Sequence, residues 1–215
     1  MVRVIFEDNH LLVLSKPAGL LTQSSGTEDE NLQAQGKLWL KEKYHKPGLV
    51  FLEPIHRLDK AASGLVIFAK TSKALSRLTE EVRKRAVKKI YLAVVSRAPV
   101  PDSGTLTHYL VHDDYRARVV DKNASQAKLA ILNYKILKQV KAGILLEIEL
   151  ITGRYHQIRA QLAKIGSPIV GDKKYGSVES WVGSGIALQH VHFEIVHPIT
   201  KELLVFEDLS FLQNS

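Results

Sequence analysis

An α+β fold on a mixed, largely antiparallel β-sheet flanked by a few helices is what this sequence predicts, from three observations. Apolar strand-like runs crowd the chain after residue 88, only three segments carry helical spacing, and no composition break, repeat or low-complexity tract marks a linker. One domain over residues 1–215 is therefore expected, long enough to bury a real core. Residues 2–16 run apolar on both sides of Asp8 and Asn9, which reads as a hairpin or two short strands. A loop through Ser24, Ser25 and Gly26 leads to a helix at about 31–44, and residues 65–69 form a buried strand. Thr71 and Ser72 cap a second helix, with Leu75, Leu78 and Val82 as its apolar stripe. Strands follow at 90–96, 104–110, 116–120, 127–137 and 144–151. The third helix places Ile158, Leu162 and Ile165 on one face and ends at Gly166, with Arg154 and Arg159 in its first turns. Residues 189–196 and 203–206 close the chain as a hairpin around His197 and Pro198.

Thirty Lys and Arg against 22 Asp and Glu give a formal charge of +8 and a pI near 9.5, which favours a polyanionic partner. Five of the cations, Arg83, Lys84, Arg85, Lys88 and Lys89, stand just before the strand that carries Tyr91. They suit phosphate contact, and equally a solvated helix end whose charges offset the dipole. The absence of cysteine excludes disulfides and thiol catalysis and suits a reducing, cytoplasmic setting. No stretch approaches the roughly 18 apolar residues of a membrane span, and no signal peptide is present. Among the nine histidines, His190 and His192 share a strand side and His108 and His112 are four apart. Lacking an acidic or cysteine partner to complete a ligand set, they predict no metal.

Two segments carry chemistry. Pro54-Ile55-His56-Arg57-Leu58-Asp59-Lys60, followed by Ala61-Ala62-Ser63-Gly64, sets one acid between cations in a turn-prone loop before a buried strand. A carboxylate at such a rim can be partly desolvated and still held ionised by a cation, the state a nucleophilic carboxylate needs; a solvated ion pair in a loop would look the same. Thr152-Gly153-Arg154-Tyr155-His156-Gln157-Ile158-Arg159 supplies two arginines, and the following Gly166, Pro168, Gly171 and Gly176 dictate a tight backbone.

With Val13-Leu14-Ser15-Lys16-Pro17-Ala18-Gly19-Leu20 at the start, Lys89-Ile90-Tyr91-Leu92-Ala93 in the middle and Gly171-Asp172 late, these blocks resemble, in order and over nearly the whole chain, the RluA-type pseudouridine synthases. Family members often carry threonine at Ala62 and threonine or serine at Tyr155, departures that touch neither the acid nor the arginines. The resemblance implies a bisected sheet with an RNA-binding cleft, an isomerase needing no cofactor, and ribosomal or transfer RNA as partner. Because the opening block lies almost at Met1, a stand-alone catalytic domain is expected, without the small RNA-binding domain that many relatives carry before it. Nothing in the sequence demands more than a monomer.

Pseudouridylation breaks the bond between ribose and base, turns the base and rejoins the sugar to carbon five. The uridine must leave its stack, and glycosidic cleavage develops positive charge that a carboxylate stabilises or traps. The resemblance assigns that carboxylate to Asp59, with Arg159 pairing with it and orienting it, and Tyr91 offering an aromatic face and a phenol near carbon five. Arg159 could otherwise be a helix-surface arginine and Tyr91 an ordinary strand tyrosine. Arg57 would fill the space vacated by the flipped base, although by spacing alone it could equally clamp a phosphate. Lys84, Arg85, Lys88, Lys89, Arg154 and His156 complete the expected RNA contacts, His156 also shaping the start of the late helix, while Lys16-Pro17 and Gly171-Asp172 are expected to line the cleft by backbone geometry. The competing reading is an RNA-binding protein that keeps the scaffold without turnover.

Overall fold

The computed structural model describes residues 2–24, 26, 30–182 and 184–213. The expected loop at 24–26 therefore lies partly outside the described residues. In chain order the elements are β1 (Arg3–Glu7), β2 (Leu11–Lys16), α1 (Leu32–Lys43), β3 (Glu53–Pro54), β4 (Ser63–Ala69), α2 (Ser72–Lys84), β5 (Lys88–Val95), β6 (Ser103–Asp113), β7 (Arg116–Val120), β8 (Lys128–Val140), β9 (Gly143–Leu150), α3 (Gln157–Lys164), β10 (Leu188–Val196) and β11 (Leu203–Glu207), with 3-10 turns at Lys173–Tyr175 and Ser210–Gln213. The chain divides into two compact units, residues 1–87 with 190–208, and residues 88–189 with 209–215.

In the first unit the strands run β1-β2-β4-β10, with β3 paired to β4 and β11 to β10. β1 and β2 form the expected hairpin, and β2 pairs antiparallel with β4 from Leu11↔Ala69 to Lys16↔Gly64. α2 packs on one face through Ala74 and Leu78, against Leu11, Val13, Leu65, Ile67 and Phe193. Burying a side chain of that size stabilises by roughly 1.5–3 kcal/mol. Thr71 begins α2 as read, its hydroxyl accepting from Ala74 N at 3.1 Å. Asn31 begins α1 in the same way, accepting from Ala34 N at 2.9 Å. Gly36 is where α1 approaches most closely, since a Cβ there would stand 2.8 Å from Leu52 Cδ2 and 3.1 Å from Leu14 Cδ1. The β1-β2 turn is anchored by Glu7, which takes bonds from Lys43, Lys70 and Tyr44. Burial pushes its carboxyl up, but those donors outweigh it and hold it at about 2.

The second unit is an antiparallel sheet in the order β5-β9-β8-β6-β7. Ala160 of α3 packs with Leu110, Ala117 and Ala130 from β6, β7 and β8, so the late helix lies on this sheet. The predicted strands all form, β7 with the bounds read from the sequence. No helix among the described residues is long and apolar enough to cross a membrane.

Candidate functional site

The Asp59 loop is fixed from several directions by its own unit. His56 stacks on Phe193, centroids 5.2 Å apart at 13°, and its Nε2 accepts from Ile67 N at 3.3 Å. Leu58 is clamped through its backbone, donating to Thr22 Oγ1 at 3.1 Å and accepting from it at 3.2 Å. Asp59 follows, half-buried, and its carbonyl accepts from Ala62 N at 3.1 Å, which closes the turn expected there. The next carbonyl, that of Lys60, accepts from Gly19 N at 2.7 Å and Lys16 Nζ at 3.3 Å. Gly19 reaches it from φ +89°, a left-handed conformation that explains a glycine at this position.

Lys16 is the residue whose role sequence reasoning missed, having read it as lining a cleft through backbone geometry. It ends β2 opposite Gly64 and is 0% exposed. Its ammonium donates to the carbonyls of Pro17 (2.9 Å), Leu20 (2.8 Å) and Lys60. Burial pushes it down to about 8, with the negative charge of Asp59 opposing that shift. Lys16 is thus protonated at neutral pH and couples the loop at 17–20 to the Asp59 loop by hydrogen bonds and by charge. A lysine ending an otherwise apolar strand, just before a proline, was the available signal. Since the charge is present below about 8 and lost above it, turnover is expected to fall on the alkaline side with an apparent midpoint near pH 8. Rate profiles of wild type and Lys16→Met check this, the variant being slow throughout and lacking that limb. Arg57, between Leu58 and His56, is exposed.

Tyr91, Arg154, His156 and Arg159 belong to the second unit. Tyr91 is 6% exposed on β5, opposite Ile148. The late helix begins at Gln157, so Arg154 lies in the loop before it and not in its first turns. Side chains hold that loop open: Gln157 Oε1 accepts from Thr152 Oγ1 (2.7 Å) and Arg154 N (3.0 Å), while Gln157 Nε2 donates to Ile131 O (3.0 Å). Arg154 is exposed and donates through Nε to Leu129 O at 3.0 Å.

Arg159 is 5% exposed, which removes the surface-arginine alternative. Its fork meets Asp172 at 2.6 Å (Nε to Oδ2) and 2.9 Å (Nη2 to Oδ1), and its guanidinium carbon lies 5.0 Å from the Tyr175 ring centroid. Two contacts in fixed planes orient the guanidinium more tightly than one carboxylate alone. The sequence reading gave Asp172 only a role in shaping backbone, yet its side chain holds this arginine through both carboxylate oxygens. The Tyr175 hydroxyl accepts from Ala117 N at 2.7 Å and lies 3.0 Å from His156 Nδ1.

His156, expected among the RNA contacts, is 7% exposed in a left-handed conformation (φ 50°) at the start of α3. Burial, reinforced by Arg159 and Lys174, pushes its imidazole down to about 3, so it is neutral at pH 7. At neutral pH it therefore has no charge to offer a phosphate. Below pH 6.5 an unfolded chain binds a proton that the folded one refuses, so folded stability drops as pH falls from 6.5 towards 3. Urea melts at pH 7 and pH 5 are expected to show wild type losing on the order of 1 kcal/mol more than His156→Asn over that interval.

The basic run before Tyr91 is not uniformly outward. Lys84, Arg85 and Lys88 are exposed, Lys84 pairing with Glu80 at 2.9 Å. Lys89 is 9% exposed, turned inward by the two-residue period of β5, with Nζ 3.8 Å from where a Cβ on Gly153 would lie. Of the histidines weighed for metal binding, His190 is buried with Nδ1 2.8 Å from Leu65 O. His192 has two acidic neighbours, with Nε2 2.8 Å from Glu194 and Nδ1 3.2 Å from Glu207, which make up no metal-ligand cluster among the described residues.

Comparison with known proteins agrees with these loops. Residues 10–164 match the RNA pseudouridylate synthase family, and the chain belongs to that family. Within it the chain falls among the RluA-type enzymes. It is 36% identical over 81% of its length to ribosomal large subunit pseudouridine synthase C of Rickettsia bellii, of which it spans 56%. It is 32% identical over 94% of its length to the dual-specificity RNA pseudouridine synthase RluA of Haemophilus influenzae, of which it spans 90%. The chain thus covers little more than half of some curated relatives and nearly all of others. Human RNA pseudouridylate synthase domain containing 4 shares the fold, with a TM-score of 0.80 over 99% of this chain and 91% of that one at 22% identity.

Proposed function

We propose that this protein is an RNA pseudouridine synthase that isomerises specific uridines of ribosomal or transfer RNA, with the target base flipped out of its stack and Asp59 as the catalytic carboxylate. The observation that carries the reading is the construction of the Asp59 loop. A half-buried acid follows a backbone clamped by Thr22 and stands beside the buried, charged Lys16. Desolvating an ammonium is costly, and a surface loop has no need of it. A cation there favours the ionised carboxylate, the form that traps or stabilises a sugar cation. Tyr91 and Arg159 complete the catalytic set. Exposed Arg57 takes the place of the extruded base, and Lys84, Arg85, Lys88 and Arg154 meet phosphates. One catalytic domain acting as a monomer in the cytoplasm, with neither metal nor cofactor, suffices for an isomerisation that consumes nothing. Ribosomal RNA is the first pool to test, since the Rickettsia relative is named for the large ribosomal subunit.

The test is release of tritium to water from RNA labelled at carbon five of uridine, using ribosomal and transfer RNA separately. Release from one pool establishes the chemistry and selects the RNA to map. Binding without release from either pool, by folded protein, would support an RNA-binding protein without turnover and overturn the assignment.

A further inference from the structure

Behind the Arg159–Asp172 pair, a line of rings runs out to the surface of the second unit. Tyr175 packs beneath Arg159, and the His156 ring meets Tyr175 edge-on at 5.6 Å. Tyr155 stacks on His156, centroids 3.9 Å apart at 15°, and is 41% exposed. The exposed His112 of β6 lies 4.2 Å from Tyr155, tilted at 49°. The outermost pair is therefore seated on a buried neutral imidazole, with the exposed His112 ring lying against Tyr155 at the outer end of the stack. A large aromatic ring left partly in water on so firm a base is poised for contact, since burying it fully would have been favourable.

The surroundings indicate the kind of partner. His112 pairs with Ala117 across the β6-β7 hairpin, and the next pair along sets exposed Arg116 opposite Asp113, which is itself bonded to Arg118 at 2.7 Å. Lys174, also exposed, donates to Tyr115 O at 2.9 Å, which ties the 3-10 turn to the tip of that hairpin. Arg154 immediately precedes Tyr155 and is exposed. Aromatic faces interleaved with cations match an unpaired nucleobase and its phosphates, whereas a protein partner would more often meet an apolar patch.

We propose that Tyr155 and His112 form a stacking platform for an unpaired base of the RNA substrate other than the uridine being isomerised. The inference rests on the RNA-modifying reading of the protein and adds a determinant of which loops it accepts. Through His156 and Tyr175 the platform's occupancy is also in contact with the group that holds Arg159.

The test uses binding, which does not require turnover. Fluorescence anisotropy with the full chain compares single-stranded oligouridine with a ribose–phosphate oligomer of equal length that lacks bases. Tyr155→Ala is expected to weaken oligouridine binding roughly 5- to 100-fold, the range for loss of a stacked base, while leaving the abasic oligomer unaffected. Tyr155→Phe and Tyr155→Trp, which keep a ring, should stay within about twofold of wild type. Thermal melts confirm that each variant is folded, and His112→Ala serves as a second probe because it leaves the His156 contact intact. The proposal is overturned if Tyr155→Ala and His112→Ala bind like wild type, if losses are equal with the abasic oligomer, or if wild type does not prefer the oligomer with bases. Tritium release, scored separately, reports on the synthase reading, so either can fail alone.

Discussion

Asp59→Ala is expected to bring tritium release to background, a fall of roughly ten-thousandfold or more, and Asp59→Asn to do nearly the same. The second substitution is the sharper one, since it keeps the shape of the side chain and removes only its charge. Neither should unfold the loop. The backbone around Asp59 is held by the Thr22 clamp on Leu58, by Gly19 N on Lys60 O and by the three carbonyls that Lys16 grips, none of which uses the Asp59 side chain. The change expected elsewhere is electrostatic: without the negative charge that opposes its desolvation, Lys16 should give up its proton below the present value of about 8. Far-UV circular dichroism and a melting curve close to wild type, with activity gone, would place the acid in the chemistry. Loss of fold in both variants, or turnover surviving in Asp59→Asn, would remove it.

How much of this was legible beforehand follows from the range of each interaction. Asn31 and Thr71 were recognisable as helix starts because a cap acts on an amide three residues away. The strands of the second unit were recognisable because each is a continuous apolar or alternating run. The start of α3 was misplaced towards Arg154, because what holds the chain out of the helix there is the side-chain clamp between Thr152 and Gln157 and the left-handed His156. Lys89 was grouped with its exposed neighbours, although the strand period, applied one residue earlier, turns it inward. Lys16 and Asp172 were seen only as backbone features. Their side chains act on groups 44 and 13 residues away. Spacing along a strand or helix carries no information about such pairs, so the blocks that carry the family resemblance were legible while the residues that hold their loops in place were not.

Asp172→Ala is the change expected to cost most in stability. Both partners of the pair are buried, Arg159 at 5% and Asp172 at 2% side-chain exposure, and the arginine is gripped through two nitrogens. Removing the acid takes a two-oxygen partner away from a buried guanidinium that cannot lose its proton, a change that costs roughly 3–5 kcal/mol. That corresponds to a fall in melting temperature on the order of 10 °C for a chain of this size. Because the guanidinium also lies over Tyr175, whose hydroxyl joins Ala117 N and His156, the disturbance should spread to the loop that carries Tyr155. Asp172→Asn keeps one acceptor for the fork and should lie between the two. The informative comparison is with Arg159→Met/Asp172→Leu, in which the charged pair is replaced by apolar groups. If loss of this charge partner in a buried setting is the cause, the double variant recovers much of the stability lost in Asp172→Ala, yet stays inactive because Arg159 is absent. Denaturant melts on the three variants, with tritium release alongside, separate the two contributions: a double variant no more stable than Asp172→Ala would mean that the pair holds the second unit by shape, and one that regained turnover would remove Arg159 from the catalytic set.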